Sequence, residues 1–213
     1  MNFLTVEQYQ FVKKQAKKIL NTCVTSKDSK VIQAVQMLVS QEIADKLDSI
    51  SDEKQKILQP ILTLQTKEQL ESFINELKQY VIPFDMPTES EIKKLFLKDK
   101  KLKLPKLDQF DPKEVSYLSW FDSGTNRKYL VYREAGTLKG VRGIFSLSNN
   151  KGICTICNQH SNVGMIMVSK KGTVLGTYTK RGNYICEDSA FCNMALTDMN
   201  RFINFIDVIQ QKD

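Results

Sequence analysis

The sequence predicts two domains, an all-α four-helix bundle over residues 1–83 and an α+β domain with antiparallel strands over residues 84–213. Three observations lead to this division. All nine glycines lie from Gly124 onward, and four of the five cysteines lie from Cys154 onward. Apolar residues recur every three or four positions in the first part, as in amphipathic helices, and then alternate as in strands after residue 115. Two kinds of packing therefore share one chain of 213 residues.

Four helices are expected in the glycine-free first domain. Three of them show apolar stripes: Tyr9, Val12, Ala16, Ile19, Leu20 and Cys23; Ile32, Val35, Val39, Ile43 and Leu47; and Leu70, Ile74, Leu77 and Val81. The third helix in order covers about residues 52–64, and Pro60 should kink or shorten it because proline lacks a backbone donor. Short connections between such helices favour antiparallel neighbours and hence a four-helix bundle.

The starts of these helices are also encoded locally. Thr5 with Gln8, and Thr66 with Gln69, have the spacing of a capping box, in which each side chain bonds the other residue's backbone amide. Ser51 precedes two acidic residues, which places a cap and favourable charges at the start of the third helix.

Pro83 and Pro87 set the domain boundary, because a helix cannot continue through this pair. The capping pair Thr88 and Glu91 then begins a short helix. Residues 98–106 alternate Lys with Leu and end beside a proline. We interpret them as a solvated connector or an edge strand that lysines keep from pairing, in preference to a contact for a polyanion.

The rest of the second domain predicts antiparallel strands followed by a terminal helix. The strands are expected at residues 115–121, 128–134, 138–145, 163–169 and 173–180. The terminal helix carries apolar residues on more than one face. Either part of that surface, Phe202 or Phe205 in particular, remains available to a partner, or the surplus packs on the neighbouring sheet.

The cysteines give the strongest chemical signal. Cys154 and Cys157 form a C-x2-C pair, and Cys186 and Cys192 form a second pair after 28 intervening residues. This arrangement predicts one structural zinc with four thiolate ligands, in preference to disulfides or a redox C-x-x-C pair. His160 is interpreted as a surface residue near the metal. A zinc turn, a hairpin and a helix that carries the last ligand follow one another in the order of a treble-clef finger.

Catalytic equipment is sparse in this sequence. It has one histidine, no glycine-rich phosphate loop and no G-x-S-x-G motif. We therefore expect a binding protein rather than an enzyme. The apolar runs are far shorter than the about 20 residues of a membrane helix, and the N-terminus lacks the pattern of a secretory signal. These features predict a cytoplasmic protein.

Positive charge is concentrated in the second domain. Residues 1–83 have a net charge of +1 and residues 84–213 have +6. One hypothesis from this charge is a basic zinc-finger protein that binds ribosomal RNA directly. Its cationic and stacking residues would be residues 98–106, Arg127, Lys128, Trp120, Tyr129 and Tyr132.

Several ordered motifs resemble one known family. They are Ser119-Trp120, Asn126 to Tyr132, Lys151 to Asn158 around the first cysteine pair, Gly182 to Ser189 around the third cysteine, and Asn204 to Asp207 in the terminal helix. Together they resemble the FusB-type fusidic acid resistance proteins, which bind elongation factor G and carry a C-terminal treble-clef zinc finger. The resemblance covers almost the whole chain and is densest from about residue 81 onward.

The resemblance implies a function without chemistry on the drug. A zinc-bearing domain would dock on the C-terminal domains of elongation factor G and release the factor from ribosomes on which fusidic acid has trapped it. The chain is expected to be monomeric alone, with no membrane or small-molecule partner. The family's contact positions fall on Arg181, Tyr184 and Phe205, which we expect to form one anchor set. A further position, aromatic in the family, is Ile153 here.

Overall fold

The computed structural model describes residues 2–48, 50–172, 174 and 176–211. The chain divides into two compact units, Met1–Ile82 (unit 1) and Pro83–Asp213 (unit 2). Each unit has its own hydrophobic core. In the described part of the chain, no helix is both long enough and apolar enough to cross a membrane.

Unit 1 is helical, as predicted. Its α-helices are α1 (Val6–Thr25), α2 (Ser29–Leu47), α3 (Asp52–Leu58) and α4 (Lys67–Leu77). Both predicted capping boxes are formed at Thr5 and Thr66, and Ser51 occupies the N-cap position of α3. The α-helical hydrogen bonding of α3 stops before Pro60, and the chain continues as the 3-10 helix Gln59–Thr63.

The core of unit 1 is built from the apolar stripes of its helices. Fully buried members include Tyr9, Val12 and Leu77, and Cys23 is partly buried against the same core. A backbone bridge between Leu4 and Val81 joins the start of the unit to its end. The helical prediction for this unit is therefore confirmed, and most residues of the predicted apolar stripes lie in its core.

Unit 2 opens with a short helix, α5 (Glu89–Leu95), started by the predicted capping box at Thr88. Residues 98–106 form turns and irregular backbone rather than an edge strand. Leu102 and Leu104 pack against a core that contains Phe96. The leucines of this connector thus pack against the core, while its lysines are exposed to solvent.

Within the described residues of unit 2, five antiparallel strands form one sheet in chain order. They are β1 (Leu118–Asp122), β2 (Arg127–Glu134), β3 (Thr137–Ile153), β4 (His160–Lys171) and β5 (Tyr178–Cys186). β3 runs well beyond the predicted end at residue 145, because a shift of register between Leu147 and Asn150 lets it continue against β4.

The last strand lies later than predicted. The strand expected at residues 173–180 is confirmed only from Tyr178 to Lys180, because pairing with β4 begins at Tyr178. Thr173 and Leu175 lie outside the described residues. Gly176 has φ +83°, a conformation that belongs to a turn and that glycine adopts without strain. Pairing with β4 then continues from Tyr178 to Cys186.

The C-terminal region forms two helices instead of the single one expected, α6 (Ser189–Ala195) and α7 (Met199–Gln210). Asp198 caps the second helix by accepting a hydrogen bond from the backbone N–H of Asn200 at 3.2 Å. Of the two alternatives for the surplus apolar surface, packing on the sheet is confirmed for Phe202 and Phe205, since both are at most 2% exposed. The ring of Phe202 lies 4.5 Å from that of Tyr117 and 5.2 Å from that of Tyr132, so the surplus apolar surface packs on the sheet.

Candidate metal centre

The four cysteines of the predicted zinc site come from three parts of unit 2. Cys154 and Cys157 lie in the turn between β3 and β4, Cys186 ends β5, and Cys192 lies in α6. All four side chains are buried, and their Sγ atoms lie within 4.8 Å of one another. All five cysteines of the chain are free thiols. The fold therefore collects four thiols that the sequence separates by up to 38 residues.

The spacing of these sulfurs fits a zinc ion. Cys154 Sγ lies 3.8 Å from Cys192 Sγ, and Cys157 Sγ lies 3.6 Å from Cys186 Sγ. Four thiolates at Zn–S distances of about 2.3 Å in a tetrahedron are separated by about 3.8 Å. Four protein ligands close the coordination sphere, so such a zinc stabilises the fold and has no position for a catalytic water.

A hydrogen-bonded backbone turn positions the first cysteine pair, Cys154 and Cys157. Asn158 has φ 56°, in the left-handed region that Asn tolerates, and its N–H donates to the carbonyl of Cys154 at 2.8 Å. The N–H and the hydroxyl of Thr155 both donate to the carbonyl of Tyr184, at 2.9 and 3.0 Å. This turn is therefore attached to β5 near the third cysteine.

Polar groups also approach the sulfurs. The backbone N–H of Cys186 donates to Cys154 Sγ at 3.3 Å, and Ser161 Oγ lies 3.1 Å from Cys186 Sγ. Hydrogen bonding with the thiol of Cys157 lowers the pKa of Cys154, and the same contact raises the pKa of Cys157. A metal that binds the cluster must displace the remaining thiol protons.

Lys128 is the charged residue that the sequence did not associate with this site. Its side chain is 1% exposed, and its Nζ donates to the carbonyls of Cys186 and Glu187 at 3.0 and 2.8 Å. The ammonium lies 4.7 Å from the centre of the Phe145 ring. Burial lowers the pKa of Lys128 to about 8, while the neighbouring cysteines raise it. Lys128 thus places a positive charge beside a thiolate cluster that carries net negative charge with zinc bound.

Asn193 anchors the helix that carries the fourth ligand. Its Oδ1 accepts from the backbone N–H of Ser116 at 2.7 Å, and its Nδ2 donates to the carbonyl of Tyr117 at 3.1 Å. Asp188 caps α6 by accepting from the N–H of Ala190 at 2.8 Å. Cys192 is therefore held between a helix cap and a buried amide. His160 is exposed and lies outside the cysteine cluster, as expected.

The four predicted contact residues do not form one patch. Arg181 pairs with Val168 on the face of the sheet that carries the core under α7, whereas Tyr184 pairs with Met165 on the opposite face. Phe205 is buried in that core. Ile153 is exposed at the end of β3. The structure therefore places these residues on different sides of the sheet, and their role as one anchor set for a partner stays a prediction.

Of the residues proposed for direct RNA binding, the lysines of residues 98–106 are exposed, whereas the others are buried or half-buried. Lys128, Tyr129 and Tyr132 are each at most 2% exposed. The ring of Trp120 stacks on that of Tyr129 at 5.0 Å, and Arg127 pairs with Asp99 at 2.6 Å. The aromatic rings of this set pack in the cores of unit 2, so they offer no platform on which bases could stack.

Each of the two units matches the model of a known protein family. Residues 3–85 match a family model described as elongation factor G-binding protein, N-terminal. Residues 95–201 match one described as FBP C-terminal treble-clef zinc-finger. No curated protein sequence matches the chain. Among solved structures, that of the fusidic acid resistance protein FusC is similar, with 35% sequence identity, a TM-score of 0.85 and 98% of each chain covered. The treble-clef match and the four thiols together identify the site as that of one structural zinc.

Proposed function

Because this chain belongs to the FusB-type family of elongation factor G-binding proteins, we propose that it binds elongation factor G and protects translation from fusidic acid. In this proposal, the bound chain promotes release of the factor from ribosomes that the drug has stalled. Binding energy alone drives the release, and the chain turns over no substrate. The protein acts in the cytoplasm, where the factor works, and as a monomer.

One observation carries the proposal most strongly. The similarity to the fusidic acid resistance protein FusC extends over 98% of both chains, so it includes the helical unit as well as the zinc unit. A zinc finger alone occurs in proteins of many functions. The combination of this helical unit with this zinc unit is what supports factor binding.

The site chemistry agrees with a binding role. The four-thiol site leaves a zinc ion no open position for substrate. Exposed side chains next to it, Ile153 and Tyr184, flank the turn that Thr155 attaches to β5. The zinc can therefore fix a rigid surface for a protein partner without taking part in chemistry.

Calorimetric titration of elongation factor G into the zinc-loaded chain tests the binding. We expect saturable one-to-one binding at low micromolar concentration or tighter. Tyr184→Ala should weaken binding about tenfold, since exposed tyrosines that become buried in an interface often contribute 1–2 kcal/mol or more. Arg201→Glu, an exposed change on α7, is the matched control and should leave binding within about twofold. Absence of any binding by the wild-type chain would contradict the proposal.

A further inference from the structure

The net positive charge of the chain is concentrated in one segment of unit 2, the end of α5 and the connector that follows it. Residues 93–106 contain seven lysines and one acidic residue, a net charge of +6, while the whole chain has +7. The other residues of unit 2 contain 13 Lys and Arg and 13 Asp and Glu, so their formal charge is zero. A surface that serves solubility alone has both signs interspersed. This clustering therefore indicates an electrostatic contact with an anionic partner.

Five of these lysines lie in the connector, and all five are exposed to solvent. We call them the lysine strip, and they are Lys98, Lys100, Lys101, Lys103 and Lys106. Among the described residues, no carboxylate forms a salt bridge with any of them. At a rise of at most about 3.5 Å per residue, they lie within about 28 Å of one another. The strip thus keeps five cations available to a partner within a short distance.

The backbone of the strip is fixed on the core of unit 2. Leu102 packs on the core that contains Phe96, and Trp120 Nε1 donates to the carbonyl of Lys103 at 2.9 Å. Two successive turns precede this bond. The N–H of Asp99 donates to the carbonyl of Phe96 at 2.8 Å, and the N–H of Leu102 donates to the carbonyl of Asp99 at 3.0 Å. A backbone fixed in advance lowers the entropy lost on binding, so the lysines need only orient their side chains.

The one acidic residue within the strip is withdrawn from solvent. The side chain of Asp99 is 3% exposed and forms ion pairs with both Arg127 and Arg142. Two guanidinium groups against one carboxylate leave this group with a net positive charge. The connector forms no strand, so the lysines are not needed to keep a strand edge from pairing. The strip therefore presents positive charge without a strand edge to protect.

The composition of this segment fits phosphate groups better than a protein surface. Lys is depleted at protein interfaces, where Arg, Met and aromatic residues are enriched, and residues 93–106 contain no arginine. Leu97, which is 79% exposed, is the one exposed apolar side chain among them. It is too small for the apolar centre of a protein interface. Lysines on flexible stems, by contrast, contact phosphate oxygens as point charges.

The aromatic residues next to the strip favour a duplex over a single strand. Proteins that bind single strands without sequence preference stack bases on aromatic rings. Here the rings of Phe96 and Trp120 each lie 5.0 Å from the ring of Tyr129, so these rings are engaged with one another in the core. The phosphates of a duplex, by contrast, lie on its outside. We therefore expect contacts to phosphates, which carry no base sequence.

We propose that the lysine strip binds the phosphate backbone of double-helical RNA without reading its base sequence. This contact is separate from the binding of elongation factor G. Only the choice of RNA over DNA rests on the proposed function, which brings the chain to the ribosome. A nucleic-acid duplex carries one negative charge per about 1.7 Å of its axis, so a strip of this length faces more phosphates than it has lysines. Release of counterions makes such binding strongly dependent on salt.

The salt dependence of RNA binding tests the proposal. In fluorescence anisotropy, the zinc-loaded chain should bind a labelled RNA duplex of about 20 base pairs. The logarithm of its association constant should fall against the logarithm of the salt concentration with a slope of about −3 to −4, as for about four phosphate contacts. The triple variant Lys100→Gln, Lys101→Gln, Lys103→Gln should bind at least about tenfold more weakly at about 50 mM salt, with a slope smaller by about 2 to 3.

A matched control removes the same charge elsewhere. The triple variant Lys17→Gln, Lys27→Gln, Lys30→Gln changes three exposed lysines of unit 1, and it should bind the RNA within about twofold of the wild type. Both triple variants change only exposed side chains, so both should keep their zinc and their circular dichroism spectrum. Absence of RNA binding by the wild type, or equal weakening by the two triple variants, would overturn the proposal.

Three further ligands separate the alternatives. A second RNA duplex of unrelated sequence should bind within about twofold of the first, because the strip contacts phosphates. A DNA duplex bound about tenfold more tightly than the RNA would overturn the assignment to RNA. Polyglutamate that displaces the RNA at equal charge concentration would assign the strip to an acidic protein surface, and it would overturn the proposal as well.

Titration with elongation factor G separates this inference from the proposed function. If the chain binds the factor and no RNA duplex, only the lysine strip proposal fails. If the chain binds the RNA duplex through the strip and does not bind the factor, only the proposed function fails.

A footprint on the wild-type chain avoids any effect of substitution on folding. Bound RNA duplex should slow the acetylation of Lys100 and Lys101 by a dilute active ester at least about threefold, as read by mass spectrometry, because phosphates then cover these ammonium groups. Lys30, an exposed lysine of unit 1, is the internal reference and should react at an unchanged rate. Equal acetylation of Lys100 and Lys101 in the free and bound chain would overturn the proposal.

Discussion

The core of unit 1 is built from helices whose starts are fixed by their own Thr and Gln side chains, whereas the core of unit 2 closes around four thiols up to 38 residues apart. Unit 1 thus distributes its stability over local interactions and a continuous apolar core. Unit 2 concentrates part of its stability at one point, where a metal must gather β5, α6 and the turn after β3. The two units should therefore respond differently to the same perturbation.

Removal of zinc is expected to have the largest effect. Structural zinc sites supply about 10–16 kcal/mol of apparent binding free energy in small zinc-finger peptides. Chelation should therefore make amide hydrogen exchange fast in β5, α6 and the cysteine turn, and leave exchange in α1 and α4 unchanged. Acidification should release the metal as well, because the ligands must be thiolates. Equal loss of protection in both units would contradict the comparison.

Two cysteine variants test whether the zinc depends on the cysteines of unit 2 and not on that of unit 1. Cys186→Ser should abolish stoichiometric zinc, measured by a colorimetric chelator after unfolding. Cys23→Ser is the matched control in unit 1, where the thiol is only partly buried against the helical core. It should retain one zinc per chain.

Truncation of the buried Phe202 ring on α7 is expected to have the next largest effect on stability. Phe202→Ala should lower the free energy of unfolding of unit 2 by about 3–5 kcal/mol, because it removes a ring packed between Tyr117 and Tyr132. Denaturant unfolding followed by fluorescence measures this change. Val208→Ala on the exposed side of the same helix should change stability by at most about 0.5 kcal/mol. A Phe202→Ala protein as stable as the wild type would show that α7 does not close this core.

Loss of the buried ammonium should have a smaller effect. Lys128→Met keeps much of the side chain volume but leaves the carbonyls of Cys186 and Glu187 without their donor, at a cost of about 1–3 kcal/mol. Zinc should then be lost to a competing chelator at lower concentration. Lys151→Met, an exposed change three residues before Cys154, is the control. Unchanged zinc retention in Lys128→Met would show that Lys128 does not stabilise the bound metal.

The smallest effect is expected at a helix start in unit 1. Thr66→Ala removes the capping box of α4 and should cost about 1 kcal/mol. Ser40→Ala, at an exposed position of α2, should be neutral or slightly stabilising, because Ala is the better helix former. Equal effects of the two variants in thermal unfolding would show that the cap contributes nothing specific.

The features that could be predicted from the sequence are those that depend on residues close to one another along the chain. The helix starts at Thr5, Thr66 and Thr88 depend on residues three apart, so the local pattern was sufficient. The zinc ligands were found because two pairs of cysteines at this spacing are typical of structural zinc sites. Both the capping boxes and the cysteine pairs can be recognised within a few residues of sequence.

Features that depend on pairing across the sheet could not be predicted in this way. β3 continues past a register shift that breaks its alternation, and β5 begins only after a turn at Gly176. The inward position of Lys128 follows from its place on β2, and a lysine in an alternating strand is ordinarily expected to face solvent. The burial of Phe205 depends on the size of the sheet beneath α7, which no local pattern encodes.

The most direct test of the central claim is sedimentation of elongation factor G with ribosomes in the presence of fusidic acid. Addition of the zinc-loaded chain should move the factor from the ribosome pellet to the supernatant in proportion to the chain added. The Cys186→Ser protein, which lacks the metal, should leave the factor in the pellet. If the zinc-loaded chain binds free elongation factor G but leaves the amount in the pellet unchanged, the proposed release is contradicted.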